Sequence, residues 1–327
     1  MIESIPFSIP AKFAAGMADG SLVRFGAIIK DASSGGIVAH LQESGVAQKL
    51  LSNAVGLPFS PISAISSVGA NVQLAALTNM MATMQMLQFV TLGATLVGVG
   101  VSVVGFKAMG KRFDQVQSQI STFSDNVTQS FVEQTARDYR SHQSRVKSLL
   151  EQAELAYAYN NSSSEWMRIS HDLAAEAGFY QGEIEHLISL SIFDAQQFKA
   201  FSQLYTLCNN AQIKCLMLAD ELLAARDTSK AMARQYNQLL DPLTPITLAK
   251  QSIRLSHKTD QSYDHLLRQE LVDSKQLVSS MREIQDTAAT RPLLLDTLID
   301  RRISATAFFD RLENEKNEPI LCLEVNS

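Results

Sequence analysis

From Leu50 to Phe106 the chain contains no Asp, Glu, Lys, Arg or His, a run of 57 residues in a sequence that is 19% charged over its whole length. A surface helix shows one face to water and carries charge there every few residues. A gap of this length therefore calls for an environment that excludes charge. No other feature of the 327 residues constrains the fold as strongly.

Within the gap, Met86–Phe106 (MLQFVTLGATLVGVGVSVVGF) has Gln88 as its one strongly polar side chain. As an α-helix these residues would span about 31 Å, close to the thickness of bilayer hydrocarbon. Lys107, Lys111 and Arg112 follow at once, and long basic side chains there can reach lipid headgroups. The pattern predicts an uncharged membrane-active segment over 50–106, with its best span at 86–106, partnered by a lipid bilayer. The basic flank predicts the cell inner membrane, with residues after 107 on the cytoplasmic side. The competing expectation is a buried central helix of a soluble bundle.

The span carries Gly93, Gly98, Gly100 and Gly105, which would weaken a soluble helix but let membrane helices approach closely. Ala94, Gly98 and Ser102 form a small-residue ridge, and Gly105 lies one heptad from Gly98, so Ala94, Gly98, Ser102 and Gly105 are helix-packing candidates. Upstream, Asn71, Thr78 and Gln85 repeat every seven residues among Met80, Met81, Met84 and Met86. An uncharged polar stripe of this kind suits a pore lining, interhelical hydrogen bonds or an interfacial helix. Pro58 and Pro61 make 50–70 a loop or re-entrant segment instead of a helical span.

Beyond the basic flank, Phe113, Val116, Ile120, Phe123 and Val127 follow 3-4-3-4 spacing, a seam for parallel self-association. With no proline between 62 and 241, and no glycine between Gly110 and Gly178, Lys111–Asn160 reads as one helical stalk of about 75 Å. Further helices are expected over Glu165–Glu176, Gly182–Asp227, Ser229–Leu240, Ile246–Asp286 and Arg291–Lys316. Leu22–Lys30 and Ile37–Gln42 are β-rich runs around a turn composition, predicting a hairpin preceded by a short helix near Ala11–Ala18. The tail Pro319–Val325 reads as a strand that pairs with that hairpin. The expected fold class is mainly α: a membrane-active apolar helix, a long helical stalk and a helical bundle, with a small N-terminal β-hairpin. The expected regions are a hairpin region (1–49), the uncharged segment (50–106), the stalk (107–160) and a helical C-terminal domain (161–327).

Net charge of −5 gives no general attraction to nucleic-acid phosphates, so no nucleic-acid partner is expected. Three cysteines, Cys208, Cys215 and Cys322, are too few for a disulfide framework, and the first residues carry neither a basic nor an apolar signal region. Gly105–Arg112 fits G-x-x-x-x-G-K, but Arg112 stands where a P-loop needs Ser or Thr to hold Mg²⁺. Glu183-Ile184-Glu185-His186 supplies half of a di-iron bundle site, and no other histidine has Glu three residues before it. Cys208 and Cys215, seven apart on one face, read as core, and His40 as an ordinary strand residue. No catalytic residue, metal ligand or cofactor is expected, and the chain reads as a non-enzyme.

The uncharged segment 70–106 joined to a helical body resembles, in outline, the membrane effectors of bacterial antiphage defence of the Hailong channel type, and more loosely the α-helical pore-forming toxins. The resemblance is architectural and carries no residue motif. It implies a homo-oligomeric channel, held closed or unassembled until a small-molecule or protein activator arrives, that then depolarises the cell. The alternatives are a membrane-anchored helical scaffold or sensor without pore activity, and a wholly soluble helical interaction protein.

Overall fold

The computed structural model describes residues 11–43, eight helical positions between 106 and 117, and residues 132–159, 162–190, 193–253, 263–314 and 320–324. Helix α1 (Ala11–Asp19) leads into strands β1 (Leu22–Phe25), β2 (Ile28–Asp31) and β3 (Ile37–Glu43). Helices α2 (Val132–Ala158), α3 (Ser163–Ser189), α4 (Ala195–Leu218), α5 (Leu222–Leu240), α6 (Pro245–Ile253), α7 (Tyr263–Asp300) and α8 (Ala305–Asn314) follow, and β4 (Ile320–Glu324) comes last. The described chain is thus mainly helical with one small antiparallel sheet. Among the described residues no helix is long and apolar enough to cross a membrane.

The N-terminal β region differs from expectation in one respect. Leu22–Lys30 is not one strand but the tight β1–β2 hairpin, because Gly26 turns the chain with φ +51. A Cβ at Gly26 would lie 2.4 Å from the Asp286 carbonyl oxygen, so the turn also needs glycine to rest against α7. The β2–β3 turn is closed by Asp31, whose Oδ1 accepts from the backbone N–H and hydroxyl of both Ser33 and Ser34. Those bonds hold its carboxyl down at about 2. The tail pairs with this sheet as expected: the strand order is β1-β2-β3-β4, with Ala39 opposite Glu324 and Glu43 opposite Ile320.

One face of α7 receives the sheet at heptad intervals. Arg24 pairs with Glu283, the Ala27 N–H donates to Thr290 Oγ1 at 3.2 Å, and His40 Nε2 lies 3.0 Å from Thr297 Oγ1. His40 is a core residue, and burial aided by the Arg301 charge pulls its pKa down to about 4.

Helix α4 is the centre of the bundle. It packs against α3, α5, α2 and α8 and is buried on nearly every side from Ala200 to Met217. Cys208 and Cys215 are both buried in it, as their spacing implied. Its end explains a boundary that the sequence hides. Asp220 adopts φ 63, while its N–H donates to the Met217 carbonyl and that of Glu221 to Leu216. Arg302 ends α7 in the same way, with φ 55 and the Ile303 N–H on the Leu298 carbonyl. Both helix stops use non-glycine residues in the left-handed region; the expected Gly182–Asp227 helix is divided into the end of α3, the whole of α4 and the start of α5.

Three expected breaks are absent, the shortest being Thr228, which lies within α5. Helix α3 runs through Gly178 and Gly182, where a Cβ would meet open space. Helix α7 continues past Pro292, with Arg291 and Pro292 both buried in the bundle. Tertiary burial outweighs the local cost of a missing N–H there.

Candidate functional site

The site of interest is the junction where the uncharged run meets the helical body. Phe106 closes that run and is 1% exposed. Its ring stacks on Trp166 of α3 with centroids 5.7 Å apart and planes inclined by 24°. Met109, Phe113 and Val116 continue the same helical stripe and are buried in the core that also holds Val146, Leu150 and Ala153 of α2. The 3-4-3 spacing of these four residues puts them on one helix face, and the body buries that face.

Below the junction lies Lys214, on α4, buried at 2% exposure. Its Nζ is 5.2 Å from the Phe106 ring centroid, 5.2 Å from Phe309 and 5.8 Å from Tyr157. Three aromatic faces thus surround one ammonium, each attracting it through the ring quadrupole. Burial pushes the Lys214 pKa down to about 8, against the pull of the nearby Glu313 and Glu154 carboxylates. Tyr157 ties the cage to α8 by donating from its hydroxyl to Glu313 Oε1 at 2.9 Å. Burial, with the Glu313 charge, lifts that phenol to about 12.

The frame of the junction is set by the α2–α3 pair. Glu176, 1% exposed, is held by His142 Nδ1 at 2.8 Å and Arg145 Nε at 3.1 Å. The His142 ring stacks on Phe179 at 3.6 Å, and the Tyr139 hydroxyl donates to Glu183. A buried carboxylate held by a histidine and an arginine of the facing helix fixes the register of the pair more than it adds net stability.

The long stalk is corrected. Lys147 Nζ lies 3.0 Å from Asp114 Oδ1. In one straight helix those residues would be about 50 Å apart. The helical residues between 106 and 117 therefore lie beside α2 instead of extending it. Of the self-association seam, Phe113 is 0% and Val116 5% exposed within the body. Ile120, Phe123 and Val127 lie outside the described residues. So do the polar stripe Asn71, Thr78 and Gln85, the ridge Ala94, Gly98, Ser102 and Gly105, and the span 86–105. Of the basic flank, Lys111 is exposed on the helix, while Lys107 and Arg112 are outside the described residues. Phe106, Met109, Gly110 and Lys111 are helical, so the G-x-x-x-x-G-K run does not form a phosphate-cradling loop at these positions. Glu183 is engaged with Tyr139, and among the described residues no cluster of three metal-ligating side chains occurs.

Trp166, Lys214 and Phe309 were not singled out by sequence reasoning. Lys214 had a legible signal, being the one charged residue between Lys199 and Asp220. A lone charge in so apolar a helix implies a dedicated partner. The aromatic partners come from three other parts of the chain and have no shared spacing to find. Comparison with family models, with curated proteins and with solved structures gives no match to this chain.

Proposed function

We propose that the protein is an oligomeric membrane channel or pore-forming effector, of the kind that depolarises a bacterial cell in defence. The observation that carries this reading is the run of 57 residues without charge, ending at a helical body. The helical body supplies a folded base from which such a run can be presented to a bilayer. Its surface is charged and mixed, as a water-facing domain requires. Asn71, Thr78 and Gln85 are the pore-lining candidates, since rings of uncharged polar groups hydrate ions without trapping them. The activator, whether a small molecule or a protein, acts on assembly or insertion. No cofactor or catalytic step enters.

A membrane-anchored scaffold is the second reading. The observation favouring it is the burial of Phe113 and Val116, which removes two of the five expected seam residues from self-association in this state. Conductance separates the two. In planar bilayers the wild-type protein should pass ions, and Gln85→Leu with Thr78→Leu should lower conductance at least tenfold while leaving the oligomer intact in detergent. Wild-type oligomers that insert but pass no current would favour the scaffold.

A further inference from the structure

We infer that the helical stripe Phe106, Met109, Phe113 and Val116 is an autoinhibitory latch, docked on the helical body in the resting protein and released before the chain assembles in a membrane. This inference rests on the pore reading above.

The argument starts from competition for the same side chains. Phe113 and Val116 begin the seam through which neighbouring chains would pair, yet here they are sealed inside their own chain's core. One helix face cannot pack on the body and on a second copy at once. Docking and assembly are therefore mutually exclusive states of one element, which is the requirement for a two-state switch.

Position gives the switch its reach. Phe106 is both the last residue of the uncharged run and a stacked partner of Trp166. Releasing the stripe frees the point at which the run is tethered to the body. Asp114 and Lys147 close the outer side of the same contact with an ion pair at 3.0 Å, both side chains about half exposed. A pair so exposed is weak and adds little hold.

The docked state also carries a built-in cost. Closing the stripe over α4 sets the Phe106 ring against the buried Lys214 ammonium, beside Phe309 and Tyr157. Undocking removes the Phe106 ring and rehydrates the charge. The apolar stripe favours the closed state and the buried ammonium opposes it, so the difference between closed and open is smaller than the buried apolar area suggests. A ligand or partner that prefers the open form can then shift the population.

Trp166 is the chain's single tryptophan, so its emission reports the latch without any added label. The experiment uses the full chain with Asp114→Cys, Lys147→Cys and Cys322→Ser, Cys208 and Cys215 being buried. A bismaleimide containing a cleavable disulfide joins positions 114 and 147. The protein is added to dye-loaded vesicles of phosphatidylethanolamine and phosphatidylglycerol, before and after the linker is reduced. Expected is at least tenfold more dye release after reduction, together with Trp166 becoming accessible to iodide quenching. The uncross-linked Phe106→Ala chain, if its far-ultraviolet circular dichroism matches wild type, should release dye faster than wild type. Equal release from linked and reduced protein overturns the latch. Trp166 equally shielded in both samples overturns it too, whatever the dye does. Trp166 opening on reduction without release in any sample keeps the latch and counts against the pore reading.

Discussion

Lys214 shows how one residue can carry both cost and control. Its ammonium is buried, and Phe106, Phe309 and Tyr157 each place a ring within 6 Å of it. Its pKa is about 8 in the fold against 10.5 when free. Between those values the unfolded chain holds the extra proton. Folding stability from this group is therefore complete above pH 10.5 and is lost as pH falls to about 8. The loss amounts to about 3 kcal/mol from the size of the shift. Lys214→Met should thus be more stable than wild type at pH 7, by about 1 kcal/mol or more once the lost cation–π attraction is deducted. The advantage should shrink as pH rises through 8 to 10.5. Urea midpoints of both proteins across that range check it, the difference cancelling the tyrosines and cysteines that titrate in common. A pH-independent gap would mean that Lys214 is not a buried ammonium.

At the scale of elements, legibility followed the kind of signal each element carries. The sheet was readable because β-rich runs and turn residues are local, and the tail found its place because it was the one other strand-like run. The split of Leu22–Lys30 into two strands was hidden behind the single Gly26, whose role depends on the Asp286 backbone it rests against. The helix ends at Asp220 and Arg302 were not readable because these residues, not glycines, take the left-handed turn, whereas the end of α5 at Leu240 was. The stalk failed for a related reason: helix periodicity tells which face is apolar, not what that face meets. Phe113 and Val116 were recognised as one apolar stripe, while their partners in α2 and α3 lie 30 or more residues away. Spin labels at Asp114 and Lys147 test the folded-back arrangement directly. The mean separation should be near 20 Å including the labels' own reach, whereas a continuous helix would give about 50 Å. The longer distance in the detergent-free protein would restore the stalk.

The molecule as a whole joins a bundle built around α4 to a sheet whose strands come from both ends of the described chain. The uncharged run lies in the sequence between β3 and Phe106, its last residue, whose ring stacks on Trp166. Composition alone made that run visible, because the absence of charge needs no partner to be read. What it joins became visible only with the packing of Phe106, since nothing in the order of residues connects position 106 with 166, 214 or 309. The central claim is that this run enters a bilayer in the functional state. Co-flotation of the full chain with phosphatidylglycerol-containing vesicles tests it most directly, comparing wild type with Val97→Arg. An arginine at the middle of the span costs about 2.5–3.5 kcal/mol on insertion scales. Wild type should float with the vesicles, and Val97→Arg should remain at the bottom of the gradient with its helical content unchanged. Equal flotation of the two proteins, or wild type left at the bottom in every lipid composition, would contradict the account.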